Sequence, residues 1–393
     1  MKKIAIVTKY MMAGGIEKAL INMLNAFSKE KYDITLYVEK LGGDFFEDIP
    51  SYVNVKVIPE IECGNKERIR SALKSFKIGR SIEITKGLIH NYRNREYIDQ
   101  CIGMCKILPK VEESYDLAIA YSAPVSLALY YVAYNIKANK KWTWIHNEVD
   151  QITVDIQDAD NVFEEYNKIF CVSKLAKEKF DLKLPKYKNK SEVFYNIINF
   201  EDMKEKAKDN IQNDMPDGDY KVLTVGRICE QKGQDIIPNI VEKLKKRNVS
   251  LKWYLLGEGD YESLIKQKIK EKGIEKDIIL LGKKTNPYPY FKKCDLYVQT
   301  SRHEGFGITL TEAKFFLKPI ITSSFAGADE QIKNGENGFI VNFNEDKFVE
   351  KIIYLKNNID VQRKMIEKLK EEKLQFKQNQ ILDKKLHDEK EKI

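Results

Sequence analysis

The chain has 393 residues, of which 43% are hydrophobic and 32% charged, a composition typical of a globular protein long enough for two domains with cores of their own. No run reaches about 18 apolar residues, which excludes a membrane-spanning helix. The formal net charge of +8 is concentrated in residues 64–110, where eleven Lys/Arg stand against four Asp/Glu, a difference of +7.

The six cysteines show no C-x-x-C spacing, and we expect reduced thiols instead of a disulfide framework or a metal cluster. The chain runs directly into a predicted strand, Ile4–Val7, so we expect no signal peptide. Both observations predict a cytoplasmic protein.

The basic segment 64–110 also contains apolar residues, which are Ile69, Leu73, Phe76, Ile78, Ile82, Ile84, Leu88 and Ile89. This mixture is consistent with a surface that rests on anionic lipid headgroups, at the inner face of a cell membrane. It is equally consistent with a pair of solvated basic helices. Nucleic-acid binding is not favoured, because no binding motif accompanies the charge.

Strand and helix patterns alternate along the first half of the chain. The predicted strands are Lys2–Tyr10, Ile34–Val38, Val53–Ile58, Leu117–Tyr121, Lys141–Ile145, Ile169–Val172 and Val193–Tyr195. The predicted helices are Ile16–Phe27, Ser122–Tyr134 and Lys174–Phe180, the last with Ser173 as its N-cap. The alternation predicts a parallel sheet with right-handed crossovers, in which ligands bind at the carboxyl ends of the strands.

A polar loop over residues 209–219 marks the entry to a second domain. The strands predicted after it are Lys221–Val225, Trp253–Leu256, Ile278–Leu281, Leu296–Val298 and Pro319–Thr322, and the last predicted helices are Phe348–Leu355 and Val361–Phe376. We therefore predict two doubly wound, Rossmann-like α/β domains, over residues 1–200 and 201–375. A charged tail, 376–393, either crosses back to the first domain or frays.

The stretch 298–312, V-Q-T-S-R-H-E-G-F-G-I-T-L-T-E, combines a strand end, a Gly-Phe-Gly turn and a helix start. The free amides and the dipole at a helix N-terminus favour an anion. Glu304 lies before the glycines, where it can face ligand hydroxyls. Glu312 lies about one turn inside the helix, where it can accept hydrogen bonds from a diol such as a ribose. In the first domain, His146 ends a predicted strand and should lie on the ligand side of its sheet.

The run E-G-F-G-x-x-x-x-E resembles the E-x7-E signature of retaining glycosyltransferases of the GT-B fold, family 4, the bacterial group 1 enzymes of capsular and exopolysaccharide type. Further elements similar to this family follow in the family's order: Gly14-Gly15-Ile16-Glu17, the spacing from Gly226-Arg227 to Lys232-Gly233, and the late positions Gly327, Glu330 and Asn337-Gly338. The resemblance implies a GT-B fold, in which two Rossmann-like domains face each other across a cleft.

The resemblance also implies roles for individual residues. The catalytic set is Glu304, Arg227, Lys232 and His146. The donor-binding set is Gly14, Gly15, Arg227, Lys232, Lys283, Gly305, Phe306, Gly307, Thr309, Leu310 and Glu312. Cations at Arg227 and Lys232, with the amides near Thr309 and Leu310, would stabilise the charge that develops on a departing diphosphate. Glu312 would hold the nucleotide ribose, and Glu304 the hydroxyls of the donor sugar.

The implied function is transfer of a hexose or N-acetylhexosamine from a nucleoside diphosphate sugar, UDP-sugar above all, with retained configuration. The acceptor would be a saccharide or a lipid-linked saccharide in bacterial surface polysaccharide synthesis. No metal and no cofactor are expected: the D-x-D pairs Asp158/Asp160 and Asp217/Asp219 do not follow strands, and two cations already face the diphosphate.

Two other classes stay open. One is a GT-B sugar-nucleotide epimerase, which would need additional acid/base carboxylates. The other is a non-catalytic partner subunit, in which loss of Arg227, Lys232 or Glu304 would be expected, whereas all three are present.

Overall fold

The computed structural model describes residues 1–74, 78–93, 96–122, 124–150 and 155–373. The chain divides into two compact units, the first spanning Met1–Ile197 and the second beginning at Ile198. The tail predicted over 376–393 lies outside the described residues.

The first unit is built on a parallel sheet with helices around it. Its strands are β1 (Lys2–Thr8), β2 (Tyr32–Val38), β3 (Asn54–Val57), β4 (Ser114–Ala120), β5 (Lys137–Ile145), β6 (Lys168–Cys171) and β7 (Ser191–Val193). Its helices are α1 (Gly15–Ala26), α2 (Asn65–Lys74), α3 (Ile78–Arg93), α4 (Tyr97–Ile107), α5 (Leu127–Asn135) and α6 (Lys174–Lys183). Among the described residues the strand order is β3-β2-β1-β4-β5-β6-β7.

The order of these strands brings the chain's first strand to the middle of the sheet. Every pairing between neighbours is parallel, as the alternation of elements predicts. Central β1 is covered on both faces, so Ile4–Val7 are all buried. The ends of β1, β4 and β5 therefore lie side by side, with Val7 opposite Ala120 and Ala120 opposite Thr143.

The second unit repeats this design. Its strands are β8 (Lys221–Val225), β9 (Lys252–Leu256), β10 (Ile278–Gly282), β11 (Leu296–Gln299), β12 (Ile320–Ser323) and β13 (Phe339–Val341). Its helices are α7 (Phe200–Lys206), α8 (Ile237–Lys246), α9 (Glu262–Glu271), α10 (Tyr288–Lys293), α11 (Ile308–Phe315), α12 (Ala328–Gln331), α13 (Glu345–Asn357) and α14 (Ile359–Lys373). The described strands are parallel and run in the order β10-β9-β8-β11-β12-β13.

Two hydrophobic cores lie in the second unit, and they contain different helices. One core includes Ile240 and Leu244 of α8 together with Phe348 of α13. The other includes Leu310 and Ala313 of α11. The parallel sheet is apolar on both faces, and α11 packs against one of these faces, which positions the helix and the loop before it.

Local signals in the sequence place several element ends correctly. Ser173 accepts a hydrogen bond from the Ala176 amide at 3.1 Å and caps α6, as predicted. The helix predicted over Ser122–Tyr134, with a start slightly delayed by Pro124, begins as α5 only at Leu127, and Ser126 before it has extended backbone.

The basic segment forms helices α2, α3 and α4, but part of its charge is used inside the fold. Arg68 is only 4% exposed and donates three hydrogen bonds to the carbonyls of Glu60 and Ile61. Arg80 donates to the carbonyls of Lys106 and Ile107 at the end of α4. Arg68 is therefore one basic residue of segment 64–110 that does not belong to an outward-facing surface.

Each helix in the described part of the chain is too short or too polar to cross a bilayer, which agrees with the prediction from the sequence.

Candidate functional site

The stretch 298–312 forms a strand, a turn and a helix. β11 ends at Gln299, α11 begins at Ile308, and Gly307 between them has φ +79° and ψ +64°. Only glycine adopts this left-handed conformation without strain. Gly305, Phe306 and Gly307 thus form the tight turn that starts α11, where the sequence predicts it.

Glu304 is held by one of its two carboxylate oxygens. Its Oε1 accepts hydrogen bonds from Lys232 Nζ at 2.5 Å, Ser301 Oγ at 2.7 Å and Gln299 Nε2 at 3.0 Å. The side chain is only 8% exposed, and its Oε2 accepts no hydrogen bond from any residue that the structure describes. The carboxylate is therefore fixed in orientation and keeps one oxygen for a ligand hydroxyl.

Gln299 is a site residue that the sequence reasoning missed. It is buried, and its Oε1 accepts hydrogen bonds from Thr309 Oγ1 at 2.9 Å and Tyr297 OH at 3.3 Å. Its Nε2 donates to Glu304, so one amide links the Glu304 carboxylate to the start of α11. The available signal was a polar residue that ends the otherwise apolar strand L-Y-V-Q.

The loop after β8 brings Lys232 to Glu304 and leaves Arg227 exposed. No described residue pairs with the Arg227 guanidinium, so its charge is available to a ligand. Gly233 has φ +64°, and a Cβ there would lie 2.0 Å from the Thr300 carbonyl oxygen. Glycine after Lys232 is therefore required by the close approach of two loops as well as by its backbone conformation.

The first turn of α11 offers fewer free amides than expected. The Leu310 amide donates to the Gly307 carbonyl at 2.9 Å, so the expectation that it faces the diphosphate is corrected. The amides of Ile308 and Thr309 have no acceptor among the described residues, since each precedes the first hydrogen bond of the helix. Glu312 lies in the second turn of α11 and is 5% exposed.

Gln331 fixes the glycine turn from the far side and was also missed. Its Nε2 donates to the Phe306 carbonyl at 2.6 Å, and its Oε1 accepts from Thr311 Oγ1 at 2.7 Å. It neighbours the predicted late elements Gly327 and Glu330 at the end of α12. These elements thus support the turn before α11.

Lys283 follows β10, as predicted, and its ammonium lies 3.7 Å from Glu258 Oε1. Both residues follow strands, β10 and β9, at the same edge of the second sheet. The side chain is therefore partly neutralised by a neighbouring loop.

The first unit carries Gly14, Gly15 and His146. Gly14 precedes α1 with φ −160°, an extended conformation open to any residue, and Gly15 is the first residue of the helix. His146 directly follows β5, is 6% exposed and packs against the Tyr121 ring, with centroids 4.5 Å apart. Burial lowers the pKa of His146 from its usual value to about 3, and its Nε2 has no described hydrogen-bond partner.

The aspartate pairs and the cysteines form no metal centre among the described residues. Asp217 lies 3.2 Å from Lys293, and this ammonium lowers the pKa of the Asp217 carboxyl. All six cysteines are free thiols.

Comparison with known proteins gives a consistent result. Residues 205–372 match the family model of Glycosyl transferases group 1. The chain is 31% identical over 209 residues to an uncharacterized glycosyltransferase of Methanocaldococcus jannaschii, a match that covers 52% of this chain and 54% of that protein. It is 32% identical over 153 residues, 39% of this chain and 40% of the relative, to an N-acetylgalactosaminyltransferase of Campylobacter jejuni that acts on a diphospho-undecaprenol-linked sugar. The chain spans about half the length, or less, of these curated relatives.

Solved structures resemble the chain over its whole length. The complex of HepE from Anabaena with UDP and glucose superimposes with a TM-score of 0.74 at 15% identity, covering 100% of both chains. A glycosyltransferase from Rickettsia africae gives 0.70 at 19% identity, covering 99% of this chain and 98% of that one. At this identity the likeness establishes the fold, which is GT-B.

Proposed function

We propose that this chain, which has the GT-B fold and carries the group 1 glycosyltransferase domain over residues 205–372, transfers a sugar from a nucleoside diphosphate donor with retention of configuration. The observation that carries the proposal is the contact of Lys232 Nζ with Glu304 Oε1 at 2.5 Å, made by the loop that also carries the exposed Arg227. It joins a cation suited to a phosphate and a carboxylate suited to a sugar hydroxyl, on loops from two neighbouring strands.

The chemistry of the leaving group explains why cations belong there. Negative charge grows on the diphosphate as the bond to the anomeric carbon lengthens. Lys232, which Glu304 holds, and the amides of Ile308 and Thr309 are fixed before the reaction, and the exposed Arg227 adds a second positive charge that stabilises the diphosphate. This part of the account needs no metal ion and no cofactor.

Glu304 orients the donor sugar by accepting from its hydroxyls with Oε2. The acceptor hydroxyl attacks from the face that the diphosphate leaves, so the configuration is retained without a glycosyl-enzyme intermediate. Glu312 accepts from the ribose of the nucleotide. Two curated relatives are named as alpha-N-acetylhexosaminyltransferases, which supports an N-acetylhexosamine as the transferred sugar, and the HepE structure with UDP and glucose supports a UDP-linked hexose.

The first unit provides the acceptor site in this proposal. Three buried polar atoms at or after the carboxyl ends of adjacent strands lack a described partner: Thr8 Oγ1, Ser126 Oγ and His146 Nε2. Such atoms are normally satisfied by hydrogen bonds, and hydroxyls of a saccharide can supply them. One relative is named for a diphospho-undecaprenol-linked sugar and another for poly(ribitol-phosphate), which supports a lipid-linked saccharide or a polymer as acceptor.

In addition to the donor and the acceptor, the proposal includes an anionic membrane surface as a partner of this chain. The exposed residues of α2 and α3 include Lys66, Arg70, Ile82, Lys86 and Ile89, the two isoleucines being 51% and 47% exposed. Basic and apolar groups that share a surface are attracted to anionic lipid headgroups. A lipid-linked acceptor would be concentrated on the same surface.

Cosedimentation with liposomes tests binding to this membrane surface. Arg70→Glu/Lys86→Glu should release the protein from vesicles that contain anionic lipid, whereas Lys266→Glu/Lys270→Glu in the second unit should not. Equal binding by both double variants would contradict the membrane proposal and leave the transferase proposal intact.

The transferase proposal is tested with a panel of nucleotide sugars in the presence of EDTA, with wild type and Glu304→Ala. Slow release of sugar from one donor, lost in the variant, supports transfer and identifies the donor. Conversion of the donor into an epimer would instead assign a sugar-nucleotide epimerase. No turnover and no thermal stabilisation by any donor would contradict catalysis.

A further inference from the structure

Arg302 lies two residues before Glu304, yet its guanidinium is engaged within the protein. Nη1 lies 2.7 Å from Asp235 Oδ1 and Nη2 lies 2.9 Å from Asp235 Oδ2, a two-pronged pair. Nη1 also donates to the Glu230 carbonyl at 2.6 Å, and the guanidinium carbon lies 4.7 Å from the centroid of the Phe343 ring. Nη1 and Nη2 of Arg302 thus bind Glu230 and Asp235, which lie on either side of Lys232 in the same loop.

Backbone contacts run alongside this pair. The Arg302 amide donates to the Gln231 carbonyl at 2.8 Å, and Gln231 Nε2 donates to the His303 carbonyl at 3.2 Å. Thr300 Oγ1 donates to the Lys232 carbonyl at 3.0 Å. The loops are neighbours because β8 and β11 are adjacent, with Val222 opposite Leu296.

We infer that Arg302 and Asp235 are positioning residues that fasten the loop carrying Arg227 and Lys232 onto the loop carrying Glu304, and that Arg302 does not itself contact the donor. The inference rests on the proposed function for its catalytic consequence. The Arg302–Asp235 pair sets the position of Lys232, which binds the phosphate, relative to Glu304, which binds the sugar. An error of about 1 Å in such a position lowers turnover by about a hundredfold.

Two substitutions distinguish positioning from ligand binding. Arg302→Lys keeps the charge but cannot form the fork with Asp235 and the Glu230 carbonyl. Asp235→Asn removes no group that could bind a phosphate. If Arg302 bound the diphosphate, Arg302→Lys would be mild and Asp235→Asn would leave donor binding equal or tighter. Positioning predicts that both variants lose about ten- to a hundredfold in kcat with KM for the donor changed less than about threefold.

The test combines steady-state kinetics on the donor with amide hydrogen exchange over residues 226–234. The losses of kcat in Arg302→Lys and Asp235→Asn should not add in the double variant, which should match Arg302→Lys, since both single substitutions disrupt the same pair and only Arg302→Lys also loses the Glu230 contact. Exchange over residues 226–234 should be faster in all three. Lys243→Met, which breaks an ion pair with Asp346 in the same unit, serves as the control and should change neither.

The two readouts separate failure of this inference from failure of the proposed function. Faster exchange in the variants, with no turnover even in wild type, would support the positioning role of Arg302 and Asp235 and contradict the transferase proposal. Normal exchange in the variants, or losses in kcat that add in the double variant, would overturn the inference whatever the activity of the wild type.

Discussion

Glu304 shows how one residue acquires a role from its neighbours. Three donors hold Oε1, and Oε2 is left without a described partner. A carboxylate fixed in this way meets a substrate hydroxyl without losing further conformational freedom. In the proposed function, the Glu304 side chain therefore acts on the donor through its negative charge as well as through its shape.

Glu304→Gln tests the charge at constant shape. A hydrogen bond to a charged group contributes about 1.5–3 kcal/mol, so kcat/KM for the donor should fall by about ten- to a hundredfold. Thermal stability should fall as well, because the amide oxygen can still accept from Ser301 and Gln299 but the partly buried ion pair with Lys232 is lost. Steady-state kinetics and a melting curve measure the two effects, and unchanged kcat/KM would show that Glu304 does not contact the donor.

His146 makes a prediction about pH. Burial lowers its folded-state pKa to about 3, against about 6.5 when it is unfolded, so between these values the unfolded chain binds the proton more readily. Stability is therefore fully present above pH 6.5 and is lost as the pH falls, with a slope of up to about 1.4 kcal/mol per pH unit. Melting temperatures from pH 7.5 to 4.5 should fall more steeply for wild type than for His146→Gln. Parallel curves would contradict a neutral buried imidazole.

At the scale of single residues, the sequence predicted side chains that belong to short contiguous patterns. Glu304, Glu312 and Gly307 were found because the chemistry of the turn is local. Arg302 was missed because its partners Glu230 and Asp235 lie 72 and 67 residues away and meet it only where β8 and β11 are neighbours. Gln331 was missed because it contacts Phe306 and Thr311, 25 and 20 residues away, only in the folded chain. Gln299 was missed although its partners Glu304 and Thr309 are only 5 and 10 residues away.

Helix α11 is the element on which the proposed donor site depends, and it is held at both ends. Gln299 accepts from Thr309 near its start. Near its end, the Lys314 ammonium donates to the Gln331 carbonyl at 2.8 Å and lies 2.9 Å from Glu372 Oε2 in α14. Glu372 also accepts from Asn337 at 2.9 Å and 3.0 Å, so α14 fixes α11 from outside the motif.

Lys314→Met tests this outer support. The change removes one of two donors that the Glu372 carboxylate and the Gln331 carbonyl share, the other being Asn337 Nδ2, and it leaves the carboxylate without its cation. We expect a loss of about 1–3 kcal/mol in stability, seen as a lower melting temperature. The matched control is Lys347→Met, whose exposed pair with Glu350 should contribute less than about 1 kcal/mol. Equal melting temperatures for both variants would contradict the support.

Element boundaries were predictable where hydrophobic pattern and capping agree. β8 spans Lys221–Val225, as predicted, and Ser173 caps α6. β5 begins at Lys137, four residues before the predicted start, because its first residues are polar and partly exposed. An apolar pattern does not extend into a strand end that faces solvent.

At the scale of the whole molecule, two parallel sheets with their helices form the two units that the alternation of strands and helices predicted. Fold class follows from the repeated order of elements, which needs no distant contacts. The proposed function depends on the loops at the strand ends, where Arg227 and Lys232 recognise a diphosphate.

Calorimetric titration of UDP and UMP tests this claim most directly, with wild type, Arg227→Met and the exposed control Arg247→Met. Wild type and the control should bind UDP at least about tenfold more tightly than UMP, since the second phosphate adds a charge-assisted contact of about 1.5–3 kcal/mol. Arg227→Met should lose most of that preference. A wild type that binds neither nucleotide, or an Arg227→Met variant that still prefers UDP by the full factor, would contradict the account.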